Sequence, residues 1–261
     1  MKAATFLLAI VVLLGGMTSA VMADVTIEMK HDGESQTIYA TDQMFCAEYP
    51  DGTTIFRGDK RLLWNISKSD GKYFEITESD LKEIGEKIGK MKAEMEEAMK
   101  NVPAEQRAMV EKMMAGKMPA GLGGEEPALT VKELGQSKAI NGFRSSGYEV
   151  FSDGELKEEV WSAQPKELGL AMSDFKVLQD FASFLQSAIP GMNDMVAGLA
   201  KDYENPGDNE VPGFPVLTIR KDGDGNEKWR SELVRVDKAD VPVGRFELPE
   251  GLKKEKMNLG G

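Results

Sequence analysis

Cysteine and histidine are almost absent from this sequence. Its 261 residues contain one of each, Cys46 and His31. A single thiol forms no intramolecular disulfide, and a zinc site of Cys and His ligands cannot be assembled within one chain. His31 lies in His31-Asp32-Gly33, a turn context in which an exposed histidine is expected. Cys46, beside Phe45, reads as a small buried hydrophobe, because a reactive thiol needs a lowered pKa and a nearby base. No Gly-x-Ser-x-Gly elbow, P-loop or dinucleotide glycine fingerprint occurs. Basic charge is also scarce. Lysine and arginine total 32 against 44 acidic residues, a net charge of −12. Nucleic-acid binding, which needs a basic face, is therefore not expected. In so acidic a chain, pairs such as Glu158-Glu159 point to a solvated strand edge rather than to acid–base chemistry. The reading is a non-enzyme with no catalytic residue, no cofactor and no metal.

What is present begins with a targeting pattern. Lys2 is the only charge in the first 23 residues, and Ala3 to Leu14 form an apolar run. Gly15-Gly16 break that run, and Val21-Met22-Ala23 supplies a small-residue exit. This is the pattern of a secretory signal peptide cleaved after Ala23. The competing reading is a membrane anchor, since the uncharged span Ala3–Ala23 is about long enough to cross a bilayer. The glycine break and the short apolar core favour cleavage. The mature chain, 238 residues with charge −13, is then periplasmic or secreted and peripheral at most to a membrane. Export without disulfides requires a core that holds itself, which a domain of this size can bury.

Residues 24–76 read as short strands between turns. Val25–Met29 alternates apolar and polar residues, and Asp32-Gly33, Pro50-Asp51-Gly52 and Ser69-Asp70-Gly71 mark hairpin connections. The period then changes. Thr77-Glu78-Ser79-Asp80 can form a capping box. Leu81, Ile84, Ile88, Met91 and Met95 follow at spacings of three and four, one face of a helix. Asn101 and Pro103 end that helix, and Met109, Val110, Met113 and Met114 mark a second. Residues 78–127 thus form a helical insertion. Strands resume at Leu129–Leu134, and Asp153-Gly154 turns the chain towards Leu156–Ser162. A helix begins near Ser173-Asp174, with Phe175, Leu178, Ala182, Leu185 and Ile189 on one face. Phe214–Arg220 and Lys228–Val236 close the strands, Phe246–Pro249 ends the ordered part, and residues 253–261 form a flexible tail. Strands, inserted helices and strands again describe an α+β fold in which residues 24–252 are one domain.

Two segments carry possible chemistry. Asp222-Gly223-Asp224-Gly225-Asn226 resembles the start of a calcium loop, but Glu227 stands where glycine is required and Leu233 where a bidentate glutamate is required. A hairpin turn is the better reading. Seven of the 16 methionines lie between Met91 and Met118, and Met91, Met95 and Met99 repeat at four residues. Thioethers in a row can bind Cu(I), fill an irregular core or adapt to a greasy ligand. Packing and ligand contact are favoured over copper.

Leu63-Trp64-Asn65-Ile66 followed by Lys72–Thr77 resembles the Trp…Tyr hairpin of the bacterial domain-of-unknown-function family 4412. Lys138–Phe143, Tyr148-Glu149-Val150 and Glu159-Val160-Trp161 are similar to its second block. Gly213–Val216 and Val241–Leu252 are similar to its closing strand and Phe–Pro–Gly tail. Their order over residues 24–252 carries the likeness. It implies a fold like that of the periplasmic lipoprotein carriers, an open antiparallel β half-barrel with helices covering its concave face. It implies no catalytic residue, and a shared fold does not transfer a function.

A curved sheet under helices can enclose an apolar pocket. The expected function is therefore a non-enzymatic periplasmic protein that binds or carries an acyl chain, a lipid or another apolar ligand. Trp64, Tyr73, Met91, Met95, Phe143 and Trp161 are the expected lining residues. The alternative is an envelope interaction or stress-sensing module that holds another protein through its acidic surface or its Met-rich helices.

Overall fold

Asx-Gly turns set the course of the chain. The computed structural model describes residues 24–100, 129–186, 202–207 and 209–256. Strands β1 (Val25–His31) and β2 (Glu34–Ala40) are joined by Asp32-Gly33, with φ of 50° and 88°. Strands β7 (Leu129–Ile140) and β8 (Phe143–Ser152) are joined by Asn141-Gly142, with φ of 50° and 87°. Asp153-Gly154, with φ of 51° and 81°, leads from β8 into β9 (Glu155–Ala163). Two successive residues at positive φ make a type I′ turn, whose twist matches that of the flanking strands. Between these hairpins lie β3 (Met44–Glu48), β4 (Gly52–Arg57), β5 (Leu62–Ser67), β6 (Lys72–Thr77) and helix α1 (Glu78–Lys100). After β9 come α2 (Lys176–Gln186), β10 (Phe214–Lys221), β11 (Glu227–Lys238) and a short β12 (Lys253–Glu255).

The strands form one open sheet in the order β12-β6-β5-β4-β3-β2-β1-β11-β10-β9-β8-β7. Every pairing is antiparallel except β12 on β6. The first and last parts of the chain meet in the middle of the sheet, where β1 pairs with β11. The fold is mostly β with few helices among the described residues, and its open, unclosed sheet is consistent with an open half-barrel. Residues 253–255, expected in a flexible tail, instead form β12, and order continues past the expected end at Pro249.

Both faces of the first half of the sheet are apolar. Val25, Ala40, Phe45, Phe56, Leu63 and Ile76 stand directly opposite one another on successive strands. From Ala40 to Ile76 this ladder packs against Leu81, Ile84 and Ile88 of α1 and against Val177, Leu178, Phe181, Ala182, Phe184 and Leu185 of α2. The alternate ladder, Tyr39, Cys46, Ile55, Trp64, faces the other way. It is covered by Val241, Phe246, Leu248 and Leu252 of the C-terminal segment. Period-two alternation places neighbouring residues on opposite faces. Runs such as Phe45-Cys46-Ala47 and Leu62-Leu63-Trp64 therefore need a cover on each side.

Helix α1 starts where its sequence predicts. The Asp80 carboxylate accepts the Thr77 N–H at 2.8 Å, and Thr77 Oγ1 accepts the Asp80 N–H at 3.3 Å. This is a reciprocal capping box with aspartate in the acidic position. The hydrogen bonds from Thr77 hold the Asp80 carboxyl below its ordinary value. The second expected helix, around Met109–Met114, and the continuation of the later helix past Gln186 lie outside the described residues.

Candidate functional site

The helix-bearing face is filled, beneath α2, by aromatic rings. Phe56 is fully buried and lies 5.6 Å from Phe45, 5.0 Å from Phe181 and 5.4 Å from Phe184, centroid to centroid. Phe45 and Phe181 meet edge to face at 5.1 Å. Such spacing is that of a packed aromatic core. A second cluster continues along the sheet through Val25, Phe175, Tyr203, Phe214, Val216 and Leu233, with Leu178 packed on both.

Helix α1 departs from this packing along its length. Leu81 is 4% exposed, Ile84 and Ile88 are half-buried, and Met91, next in the same helical row, is 45% exposed. Gly89, Lys90, Ala93, Glu94 and Glu97 are exposed as well. The helix is about 35 Å long at 1.5 Å per residue, and about 18 Å of it follows Ile88. Its apolar row thus outlasts its contact with the sheet. Leu129 and Val243 are the other large exposed apolar side chains among the described residues, at 47% and 65%.

The structure distributes the five described residues of the six expected lining residues over several places. Trp64 and Tyr73 sit together under the C-terminal segment, on the face opposite the helices. The Trp64 indole N–H donates to Glu75 at 2.9 Å. Phe143 packs on the second cluster of the helix-bearing face. Trp161 belongs to a separate cluster with Leu217, Ile219 and Leu134. Its ring lies over Gly147, where a Cβ would stand 2.9 Å from both Trp161 Cη2 and Leu134 Cδ1. The Lys138 ammonium lies 3.6 Å from the centre of the same ring, and the Trp161 indole N–H donates to Glu159 at 2.6 Å. Met91 is on the outer part of α1, and the Met95 side chain lies outside the described residues. Of the five that are described, only Trp64 and Tyr73 share a cluster.

His31 is not the exposed turn residue its neighbours suggest. It ends β1, half-buried, stacked on Trp229 at 5.6 Å and hydrogen-bonded through Nε2 to Gln36. Arg220 lies over Trp229 at 4.8 Å and pairs with Glu158 at 2.7 Å. The row Gln36–His31–Trp229–Arg220–Glu158 crosses five adjacent strands, β2-β1-β11-β10-β9. The Trp229 ring has neighbours from both sides in it, so the row acts as a lateral brace. Asp222–Asn226 is a hairpin turn. The Asp222 carboxylate accepts the N–H groups of Asp224 and Asn226 at 3.0 and 2.8 Å, and Gly225 adopts φ of 81°.

Sequence reasoning missed Arg57. At the end of β4 it is buried, with Nε and Nη2 on the two Asp59 oxygens at 2.8 and 2.7 Å. Its Nη1 reaches Glu247 at 2.5 Å and the Phe246 carbonyl at 3.4 Å. Bidentate pairing with Asp59 raises the guanidinium further and lowers the Asp59 carboxyl. A charged residue closing the apolar pair Ile55-Phe56 was the available signal.

The ordered blocks now meet a family. The model of a family described as a domain of unknown function, DUF4412, matches residues 52–252. The chain belongs to the DUF4412 family. The match begins at β4, whereas β1 to β3 complete the middle of the same sheet. Among solved structures, an uncharacterized conserved protein from Thermus thermophilus is similar with a TM-score of 0.43 and 7% identity, over 91% of this chain and 92% of that one. MucB is similar with a TM-score of 0.36 and 6% identity, over 89% of this chain and 60% of that one. MucB also occurs in a complex with MucA from Pseudomonas aeruginosa, matched with a TM-score of 0.30 and 8% identity over 89% of this chain and 58% of that one. Likeness at this level does not single out the lipoprotein carriers. No curated protein matches the chain significantly.

Proposed function

We propose that this DUF4412 chain is an exported, non-enzymatic protein of the cell envelope that binds an apolar ligand along helix α1. The ligand class is an acyl chain or lipid, seated where the apolar row of α1 leaves the sheet. The sheet is then a half-barrel whose concave face lies under α1 and α2, in the manner of the lipoprotein carriers. One observation carries this reading. The row Leu81, Ile84, Ile88, Met91 passes from 4% to 45% exposure while the helix continues for about three further turns. An amphipathic helix normally buries its apolar stripe, and a flexible thioether suits a ligand of variable shape. The filled aromatic cluster under α2 favours a site beside it rather than within it.

The test is native mass spectrometry of the full chain purified from the cell envelope without detergent. The expected result is a protein with one bound lipid-sized adduct, lost in Met91→Glu. A chain that carries no adduct, and gains none on exposure to envelope lipid extract, sinks the proposal. The second reading, an envelope protein held by the same helix, uses the same row, since a partner groove reads anchors at i, i+3 and i+4. Its mark is a stoichiometric protein in place of lipid, lost in the same variant.

A further inference from the structure

We propose that residues 239–256 are a releasable strap, and that the groove beneath them is a binding site for an extended peptide carrying an aromatic residue followed by an acidic one. The inference concerns the face opposite α1 and does not rest on the ligand reading above. The strap leaves β11 at Ala239-Asp240, both exposed, and crosses the outer face of β3 to β6. Phe246 is its anchor, fully buried with Cys46, Ile55, Trp64 and Ile66. Interfaces place their strongest contacts in such aromatic pockets. Beyond it, the strap adds β12 to the edge of β6 by three residue pairs, the one parallel ladder of the sheet. Strand addition to a sheet edge is a general mode of peptide capture.

The strap is further held by hydrogen bonds from the Val241 N–H to the Asp24 carboxylate at 2.9 Å and from the Lys253 N–H to the Gly71 carbonyl at 3.0 Å, by Glu247 on the buried Arg57, and by ion pairs at the surface. Arg245 pairs with Glu48 at 2.7 Å and Lys254 with Glu75 at 2.6 Å. Lys72 pairs with Glu255. Pairs of this exposure contribute little and weaken with salt. Strap opening therefore breaks the apolar contacts of Val241, Phe246, Leu248 and Leu252 together with these bonds, and it leaves the helix-bearing core, a separate cluster, in place.

The groove keeps its recognition chemistry when the strap departs. Asp59 holds two edges of the Arg57 guanidinium, so the Nη1 that now reaches Glu247 stays aimed at the groove. Lys60 stands 3.8 Å from the same Glu247 carboxylate and 6.0 Å from the Trp64 ring. An incoming aromatic side chain takes the Phe246 pocket. The carboxylate after it takes Arg57 and Lys60 by charge-assisted hydrogen bonds. The partner is thus specified by what the strap itself supplies.

Cys46, 1% exposed under the strap, reports opening. The experiment measures its labelling by a soluble disulfide reagent in the full chain as a function of urea. A releasable strap gives labelling at low urea with a slope well below that of global unfolding, and Glu247→Lys accelerates it at least ten-fold. Val177→Ala, in the core of the opposite face, lowers the unfolding midpoint without changing that rate. A synthetic peptide of residues 241–256, with benzoylphenylalanine in place of Phe246, then photocrosslinks to the β4–β6 groove of the full chain. The same peptide with Glu247→Lys does not. Labelling that follows only global unfolding, or no crosslink to the groove, overturns the proposal.

Discussion

Replacing Phe56 by alanine separates a solid core from a ligand cavity on the helix-bearing face. Phe56 is fully buried and touches Phe45, Phe181 and Phe184 at 5.0–5.6 Å. It stands in the ladder between Phe45 and Leu63, so its loss opens space on both sides. A Phe→Ala change in a packed core costs about 3–5 kcal/mol, the transfer term plus the cavity left behind. With an m-value of about 2–3 kcal/mol per M urea, this lowers the unfolding midpoint by about 1–2.5 M. Melting falls by about 6–20 °C, at about 2–4 °C per kcal/mol for a chain of this size. Phe56→Leu, which keeps most of the volume, loses about 1 kcal/mol. The assay is urea unfolding followed by tryptophan fluorescence and by circular dichroism. A loss of less than about 1 kcal/mol for Phe56→Ala would refute the reasoning, since only a face that is already open tolerates the deletion.

Three further outcomes follow from the same geometry. Asp80→Ala removes the acidic half of the α1 capping box and costs about 1 kcal/mol at neutral pH. The Asp80 pKa is lowered in the folded chain, so its contribution is present above its ordinary value of 3.8 and is lost as the pH falls through the folded value. The gap between Asp80→Ala and the parent in chemical denaturation therefore narrows on acidification below 3.8. Gly147→Ala puts a Cβ 2.9 Å from Leu134 Cδ1 and Trp161 Cη2, and calorimetry should show a loss of about 1–3 kcal/mol from overpacking. Calcium added to the full chain leaves the melting temperature unchanged, because the Asp222 carboxylate already accepts the backbone N–H groups of its own turn.

The hairpins were legible because their turns are written in the residues. Asp32-Gly33 and Asp153-Gly154 each need two successive positive φ angles, and few other pairs adopt them without strain. Helix α1 was legible from its capping box and from the spacing of Leu81, Ile84 and Ile88. The cover of the second face was not. Val241, Phe246, Leu248 and Leu252 have no helical or strand period, and they pack on strands far earlier in the sequence. The signal lay on the other partner, in strands with consecutive apolar residues such as Leu62-Leu63-Trp64, which mark burial on both faces. For the same reason Trp64 and Tyr73, grouped by residue type with Met91 and Phe143, fall on the face opposite them. Composition identifies ring-bearing residues, whereas the parity of their positions decides the face. His31 was misjudged because its setting is set by Trp229 and Gln36, neither of which adjoins it in sequence.

The central claim is that the outer row of α1 holds an apolar ligand. A titration of the full chain with a fluorescent undecanoate tests it most directly, run beside Met91→Glu and Val243→Glu. Both residues are exposed, and Val243 lies on the C-terminal segment of the opposite face. The account predicts saturable binding at one site per chain, weakened at least ten-fold by Met91→Glu and unchanged by Val243→Glu. No saturable binding, or equal affinity in all three proteins, would contradict it.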